Sequence, residues 1–218
     1  MNMKKTLVVK ELLEKYCRSI NDEIIDDGIW SGPIMVVKKG NGKGVELEKM
    51  HTPTSNPILY RWLVKEEALG KMNTLQDAYQ KTHSTDIDLS VRFSQCKVER
   101  GNETYYALYF GKSKDGTSRI THRHLGSAMR TSTLRRSLCG LFVPNNVSDK
   151  EVEVDRLLEG SYFEWLELAS TDKEYLVCLE AICIALGKYP LNIDGNPFLA
   201  EHPDWEKLLK ESRKELKK

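Results

Sequence analysis

The chain has 218 residues, of which 40% are hydrophobic and 30% charged, and its formal net charge is +1. This composition argues against a disordered chain, and a charge near zero by itself favours neither nucleic acid nor an acidic partner. No apolar run is long enough to span a bilayer, and Lys10 interrupts the N-terminal apolar stretch too early for a signal peptide. The sequence therefore predicts a cytoplasmic protein without a membrane partner.

Cysteine usage points in the same direction. The five cysteines are odd in number, scattered, and form no CxxC pair. This pattern argues against a secreted disulfide framework and against a four-cysteine zinc site. The sequence predicts neither a cofactor nor a bound metal.

The first third of the chain predicts helices around one hairpin. Residues 6–20 carry apolar side chains at helical spacing, which indicates an amphipathic helix. Two short β-like runs within 34–50 flank the turn GNGK and predict a hairpin. Residues 58–69 predict a helix that stops near Gly70, and residues 74–83 predict a shorter one.

The middle of the chain predicts an antiparallel sheet. The runs LSVRFSQCKVER and ETYYALYFGK flank Gly101 and Asn102, which is the clearest hairpin signal in the sequence. A two-residue turn there places Val98 opposite Tyr105. Residues 118–126, SRITHRHLG, are predicted to return as a third strand.

Strand alternation sorts this predicted sheet into two faces. One face is predicted to enter the core and carries Val91, Phe93, Tyr106, Leu108 and Phe110. The other face is predicted to carry Arg92, Ser94, Cys96, Arg100, Tyr105, Tyr109, His122 and His124.

The C-terminal third predicts mainly helices. Ser127 is a candidate cap for a helix that stops at Gly140, and the segment FVPNNVSD after it reads as a linker. Apolar periodicity predicts a strong helix from Asp172 to Gly187. A last helix has Pro203 in its first turn.

These elements define an α+β fold. We expect a central antiparallel sheet of three or more strands at about 88–125, flanked by helices, with a mainly helical C-terminal part. Two regions are predicted: an α+β domain at 1–145, and an acidic helical region at 146–218 that packs on it.

Near-neutrality hides a charge asymmetry. Residues 112–136 contain seven Lys and Arg against Asp115 alone, a net charge of +6, whereas residues 149–180 have a net charge of −7. The split predicts a basic face and an acidic face. The alternative is that the two segments neutralise each other across an internal contact.

The sequence favours a non-enzymatic nucleic-acid-binding or nucleic-acid-associated protein of phage or mobile-element origin. Tyrosines beside arginines and histidines on an open sheet are typical of surfaces that stack bases and hold phosphates. The same mixture also occurs where a helix half covers a sheet. The candidate nucleic-acid contacts are Arg92, Tyr105, Tyr109, Arg119, His122, Arg123, His124, Arg130, Arg135 and Arg136.

The order of strands, Gly/Asp-rich turn and helix over about 90–140 resembles the arm-type DNA-binding domains of phage-type integrases. The resemblance lies in topology and turn placement. It implies a sheet that docks into a DNA groove.

Two alternatives belong to other functional classes. One is a protein–protein adaptor or inhibitor that binds a basic partner through the acidic segment 149–180. The other is a metal-dependent nuclease, because Asp86-x-Asp88 followed by Gln95-Cys96-Lys97 is similar to the acid and QxK pattern of restriction-endonuclease-like enzymes. Glu99 would share the strand face of Gln95 and Lys97.

Three weaker patterns complete the candidates. His122 and His124 would lie on one side of a strand, where zinc binding would need further ligands such as Cys96 or Cys139. His51-Thr52-Pro53-Thr54 has the His-x-Thr form of two-histidine phosphodiesterases, but no second copy has a strand context. GNGKG at 40–44 is not a phosphate loop, because no GK[ST] opens a helix.

Overall fold

A computed structural model describes residues 30–48, 52–72, 96–126, 128–144, 146–168, 173–187, 189–194, 196 and 198–215. The predicted helices at 6–20 and 74–83 lie outside the described residues. Other sequence candidates that lie outside them are His51, Asp86, Asp88, Val91, Arg92, Phe93, Ser94 and Gln95.

An antiparallel sheet of six strands forms the centre of the described fold, which is α+β as predicted. The strands are β1 (Ile34–Lys38), β2 (Val45–Leu47), β3 (Ile58–Val64), β4 (Lys97–Arg100), β5 (Glu103–Ser113) and β6 (Tyr162–Glu167). Their order across the sheet is β2-β1-β6-β3-β5-β4. Because β6 lies between β1 and β3, the C-terminal part of the chain contributes a strand to the middle of the sheet.

Helices pack around this sheet. The described α-helices are α1 (Thr133–Phe142), α2 (Lys150–Leu158), α3 (Lys173–Gly187), α4 (Phe198–Glu201) and α5 (Pro203–Glu215). A π-helix at Ser118–His124 and a 3-10 turn at Met129–Thr131 precede α1. Among the residues that the structure describes, none of the helices combines the length and the apolar character needed to cross a bilayer.

Both predicted hairpins are confirmed. β1 and β2 pair around the turn that contains the GNGK sequence. In the second hairpin, Val98 lies opposite Tyr105 and Arg100 opposite Glu103, as the two-residue turn requires. Gly101 supplies the positive φ that such turns favour, at 59°.

The predicted helix at 58–69 is wrong at its start, because Ile58–Val64 is the strand β3. All seven of its residues are buried, since β3 has a strand on each side and helices over both faces. A strand buried on both faces shows a continuous apolar run, and periodicity alone does not separate such a run from a buried helix. Residues 66–72 are helical.

Both faces of the sheet are covered, so the prediction of an open face is wrong. On one face Tyr60 and Trp62 share a buried cluster with residues of α1, α2 and α5. On the other face Leu59 and Leu63 share a second buried cluster with residues of α3. The covered-sheet alternative is therefore the one that the structure supports.

A β-bulge in β5 changes which side chains share a face. Trp62 pairs with Tyr109 and Leu63 pairs with Ala107, so Leu108 is an extra residue without a partner in the register. One extra residue reverses the alternation beyond it. Tyr105 consequently lies on the α3 face, whereas Tyr109 lies on the opposite face. The prediction that these two tyrosines share a face is wrong for this reason.

A buried ion pair holds the centre of the α3 face. Arg61 and Glu164 lie opposite each other on β3 and β6, form a salt bridge, and are 1% and 0% exposed. Arg100 donates to the same carboxylate over 3.0 Å, and the Arg61 guanidinium lies 4.1 Å from the centroid of the Trp30 ring. Because removing one partner of a buried pair leaves an uncompensated charge, this network fixes the pairing of these strands.

The basic and acidic segments do contact each other. Arg135 of α1 forms a 2.8 Å salt bridge with Asp155 of α2, and Lys112 of β5 pairs with Glu180 of α3. Internal neutralisation, the alternative reading of the charge map, is therefore confirmed for these two pairs. A protein partner for the segment 149–180 stays a prediction.

Candidate active site

Three polar side chains meet beneath α1, on the face of the sheet opposite α3. The Tyr60 hydroxyl lies 2.7 Å from His124 Nε2, and Arg119 Nε donates to the same hydroxyl over 2.9 Å. Tyr60 and His124 are both 0% exposed. A buried phenol held by a cation and an imidazole is a concentrated polar feature within an apolar core.

The π-helix brings Arg119 and His124 to Tyr60, where the sequence predicted a third strand. Asp115 Oδ1 accepts from the Ser118 backbone N–H over 2.8 Å, which closes a helical turn after β5. Within the turn, Ile120 and His124 are buried and His122 is exposed. Alternating β-branched and polar residues indicated a strand, but the buried side chains follow a helical spacing and face the sheet.

His124 is fixed from its second nitrogen as well. Its Nδ1 lies 2.7 Å from Ser132 Oγ, and Ser132 caps α1 by accepting from the Arg135 backbone N–H over 3.1 Å. Helix α1 therefore begins at a cap that also holds the imidazole. The structure places this cap five residues after the predicted one, Ser127, which lies outside the described residues.

Burial sets the protonation of this pair. It raises the pKa of Tyr60 well above its usual value, and burial together with the Arg119 charge lowers the pKa of His124 well below its usual value. At neutral pH the phenol is protonated and the imidazole is neutral. Because Arg119 Nε can only donate, Tyr60 donates its proton to His124 Nε2, and His124 Nδ1 then donates to Ser132.

Gly111 gives the Tyr60 ring its space. It lies directly opposite Tyr60 in the β3–β5 register. A Cβ at this position would lie 2.5 Å from both Cζ and Oη of Tyr60, far inside van der Waals contact. The absence of a side chain at residue 111 is therefore a condition for the position of the phenol.

Gly111→Ala is expected to displace the Tyr60 ring. Overpacking of this kind costs about 1–3 kcal/mol of folding free energy, which urea unfolding would measure. Gly70→Ala is the control, because an added Cβ there meets no atom within 4 Å. Equal stability of the two variants would show that the Tyr60 ring does not require the space at Gly111.

Tyr109 extends the cluster. Its ring centroid lies 6.3 Å from that of Tyr60 and 5.9 Å from that of His124. The Arg119 guanidinium lies beside this phenol as well. Tyr109 is 6% exposed, so a small part of it reaches the surface.

A polar pocket of about 140 Å³ opens beside Tyr109. Elements that are far apart in sequence form its wall: the start of α1, the middle of α3, the loop after α3, and the end of α5. The lining residues are Tyr109, Thr133, Glu180, Ile184, Asn192, Ile193, Asp194 and Arg213.

The loop after α3 is held against β5 by the side-chain amide of Asn192, which hydrogen-bonds to the β5 backbone as a neighbouring strand would. Asn192 Oδ1 accepts from the Phe110 N–H and its Nδ2 donates to the Phe110 carbonyl, both over 2.8 Å. The Leu191 N–H donates to the Leu108 carbonyl over 2.9 Å. These bonds satisfy the backbone of β5 beyond its pairing with β4, so they fix the pocket wall.

Glu180 is the carboxylate that α3 presents to this pocket. It is 23% exposed and pairs with Lys112. In the ranges that the structure describes, no three His, Cys, Asp or Glu side chains form a metal-binding group. Magnesium does not need such a group, because it binds through one or two carboxylates together with water and substrate phosphates. The Glu180 carboxylate fits this mode of binding.

The structure brings three of the ten predicted contact residues together at this site: Tyr109, Arg119 and His124. Tyr105 lies on the opposite face, where its ring meets Tyr162 edge-on at 5.0 Å. Arg135 is 0% exposed and paired with Asp155. His122, Arg123 and Arg130 are exposed, and Arg136 is half-buried at the start of α1.

Sequence reasoning missed Tyr60, Gly111, Glu180, Asn192 and Arg213. Tyr60 and Gly111 share a signal, because each belongs to an apolar run of similar pattern, ILYRW and ALYFG, with a tyrosine at its third position. Assigning 58–69 to a helix hid it. Glu180 had a signal too, since it is a single acid within the otherwise apolar run YLVCLEAICIAL.

The other candidate motifs form no site among the described residues. Lys97 pairs with Glu99 over 2.7 Å on β4, and both side chains are more than half exposed. Both nitrogens of His124 are bonded to Tyr60 and Ser132, which leaves none for zinc. The helical turn also separates His122 from His124.

A family profile described as "GIY-YIG catalytic domain" matches residues 58–215, more than half of the chain. The match begins at Ile58-Leu59-Tyr60, and Tyr109-Phe110-Gly111 lies on the paired strand, so the sequence retains three letters of the two tripeptides in that name. No curated protein and no solved structure gives a significant match. The GIY-YIG domain is a nuclease domain, so the main prediction of a non-enzymatic protein is wrong and the nuclease alternative agrees better. The chain belongs to the GIY-YIG catalytic domain family.

Proposed function

We propose that this protein is a metal-dependent nuclease that hydrolyses phosphodiester bonds of DNA at the Tyr60, Tyr109, Arg119 and His124 cluster. The observation that carries the proposal is the Tyr60 hydroxyl, which lies on the strand that begins the family match and is held by Arg119 and His124 of the π-helix. A buried tyrosine that only packs in the core needs one hydrogen-bond partner. Tyr60 has two: the Arg119 guanidinium, which donates to its hydroxyl, and the His124 imidazole, which accepts from it.

The charge of each side chain determines the role that we propose for it. Arg119 provides the permanent cation that binds the scissile phosphate and stabilises the charge that develops on it. Tyr109 lies beside this guanidinium at the pocket and helps to orient the same group. Neither side chain is paired with a carboxylate among the described residues, so both remain available to an anion.

Tyr60 and His124 form the proposed proton acceptor. Tyr60 Oη takes a proton from the attacking water while it passes its own proton to His124 Nε2, which becomes an imidazolium. The Nε2 lone pair of His124 already accepts from Tyr60, and its Nδ1–H is oriented by Ser132. Burial and the Arg119 charge lower the pKa of His124, so in this proposal the bound phosphate has to offset the Arg119 charge before the imidazolium forms. The protons balance without a further base.

Glu180 is the proposed ligand for a divalent cation. A cation bound there supplies Lewis-acid polarisation of a phosphoryl oxygen. Lys112 has to release the carboxylate for this, and its flexible four-carbon stem allows it to move. The scissile phosphate would then lie between Glu180 and Arg119.

Glu180→Gln is expected to abolish most Mg²⁺-dependent cleavage of DNA. The change keeps the shape of the side chain and removes the charge that the cation needs, so about a 100-fold loss of rate follows. Cleavage is measured on supercoiled plasmid, linear duplex and single-stranded DNA over a range of Mg²⁺ concentrations. Chelation with EDTA should stop the unmodified protein on every substrate that it cleaves.

Glu211→Gln is the matched control, since Glu211 is exposed on α5 and does not line the pocket. It should cleave as fast as the unmodified protein. A chain that cleaves none of the three substrates at any Mg²⁺ or Mn²⁺ concentration would contradict the proposed function. Full activity of Glu180→Gln would contradict only the assignment of the cation ligand.

A further inference from the structure

One arginine lines the pocket beside the proposed catalytic cluster, and a second lies behind the pocket wall. Arg213 lies near the end of α5 and lines the pocket. Arg136 lies in the first turn of α1, next to Ser137, whose hydroxyl accepts a hydrogen bond from Arg213. Among the described residues, no carboxylate lies within ion-pair distance of either guanidinium.

Arg213 is held by bonds that leave one nitrogen free. Its Nε donates to Ser137 Oγ over 2.8 Å, and its Nη2 donates to the Leu191 carbonyl over 2.5 Å. Within the described part of the chain, Nη1 makes no hydrogen bond. The two fixed bonds pre-orient the guanidinium, which lowers the entropy cost of presenting Nη1 to a ligand.

Arg136 is oriented in a similar way. Its Nη1 donates to the Arg130 carbonyl over 2.7 Å and its Nη2 to Thr133 Oγ1 over 3.4 Å. Its Nε is buried and has no partner among the described atoms. Thr133, which accepts from Arg136, also lines the pocket, so the pocket wall and the second arginine are directly connected.

Two like charges held close together are unfavourable without an anion. Burial, together with the Arg136 charge, lowers the pKa of Arg213 to about 10. The nearby carboxylate of Asp194 is exposed and forms no ion pair with Arg213 within the described residues. An anion bound between the guanidiniums would remove the repulsion and fill the free donors.

We infer that Arg213 and Arg136 form a second phosphate subsite, which binds the backbone phosphate next to the scissile one on the same nucleic-acid strand. Tyr109 lines the pocket together with Arg213 and lies beside Arg119, so it connects the catalytic phosphate position with the second one. A nucleic-acid strand carries a phosphate at every nucleotide, so a strand bound at Arg119 can present its next phosphate to Arg213. The inference rests on the proposed function and assigns the subsite to substrate binding rather than to chemistry.

Arg213→Ala and Arg136→Ala test the subsite through binding. The probe is a fluorescein-labelled 30-base-pair duplex DNA without divalent cation, titrated by anisotropy at 50–200 mM KCl. Each variant should bind about 10-fold more weakly at low salt, and the slope of log K against log [salt] should become shallower by about one. With Mg²⁺ present, KM should rise about 10-fold while kcat changes less than 3-fold.

Lys210→Ala is the control, because Lys210 is an exposed cation of α5 that pairs with Glu206 and does not line the pocket. It should leave the affinity and the salt slope unchanged. Asp194→Asn removes an exposed negative charge from the pocket without removing a structural bond. It should tighten DNA binding about 2–3-fold. This variant still tests the subsite if the arginine variants lower the stability of the protein.

Two results would overturn the subsite. One is that the parent protein binds DNA and that both arginine variants bind it with the same affinity and the same salt slope. The other is weaker DNA binding by Asp194→Asn without divalent cation, which would show that this carboxylate aids DNA binding and does not repel a phosphate. Absence of DNA binding by the parent itself would instead contradict the proposed function, so the two failures are distinguishable.

Discussion

Tyr60→Phe is expected to lower the rate of DNA cleavage by about 10²–10⁴-fold, the range that a positioned proton acceptor contributes. The change removes only the hydroxyl, so the ring still packs against Tyr109 and Phe163. It removes both the bond from Arg119 and the proton that His124 accepts. Single-turnover cleavage at saturating Mg²⁺ isolates the chemical step from product release.

Tyr105→Phe is the matched control for this change. Tyr105 is buried on the same sheet to a similar degree, and its hydroxyl bonds to Glu103 on the face away from the site. Its cleavage rate should stay within about 3-fold of the unmodified rate, since no step that we propose involves it. Equal rates for Tyr60→Phe and the unmodified protein would show that the buried phenol has a structural role alone.

The fold should survive the loss of the Tyr60 hydroxyl at a measurable cost. The change leaves Arg119 Nε and His124 Nε2 without their buried partner, and an unsatisfied buried group costs about 1–3 kcal/mol. Urea unfolding would record this loss of free energy. A folded protein with a much lower rate separates the chemical role of the hydroxyl from its structural role.

Arg119→Ala is expected to lower cleavage by about 10²–10³-fold, because it removes the cation placed to stabilise the developing charge on the phosphate. The guanidinium is half-buried and lies between the Tyr60 and Tyr109 hydroxyls. Lysine at this position would keep a charge but not the planar fork, so Arg119→Lys should recover only part of the rate.

Arg123→Ala is the control for Arg119→Ala. Both arginines lie in the same π-helix, and the sequence predicted both as nucleic-acid contacts, but Arg123 is exposed and points away from Tyr60. Its removal should weaken DNA binding slightly at low salt and leave the single-turnover rate unchanged. Equal losses in the two variants would indicate that the basic segment acts through its summed charge and not through one positioned guanidinium.

Local sequence signals were sufficient for the hairpins and for the long C-terminal helices. Gly101 and Asn102 fixed the register of β4 and β5 to the residue, because a two-residue turn permits one pairing. The helix from Lys173 to Gly187 followed from its apolar periodicity and its closing glycine. Such features depend on neighbours within a few positions, so the sequence contains them in full.

The candidate site depended on longer-range effects. Tyr60 comes from a strand buried on both faces, whose apolar run resembles a helix. Tyr109 reaches the Tyr60 face only because the bulge at Leu108 reverses the alternation. Arg119 and His124 meet Tyr60 because residues 118–124 form a helical turn in place of a strand. Each of these outcomes is decided by packing against distant residues.

By itself, the sequence determined the α+β class, two hairpins with the register of the second, and a basic segment that contains Arg119 and His124. Only the tertiary structure decided that both faces of the sheet are covered, and that Arg135 neutralises Asp155 whereas no carboxylate of the described residues pairs with Arg119. The physical reason is that burial and charge pairing join residues such as Tyr60 and His124, 64 positions apart. Composition and periodicity carry no information about such contacts.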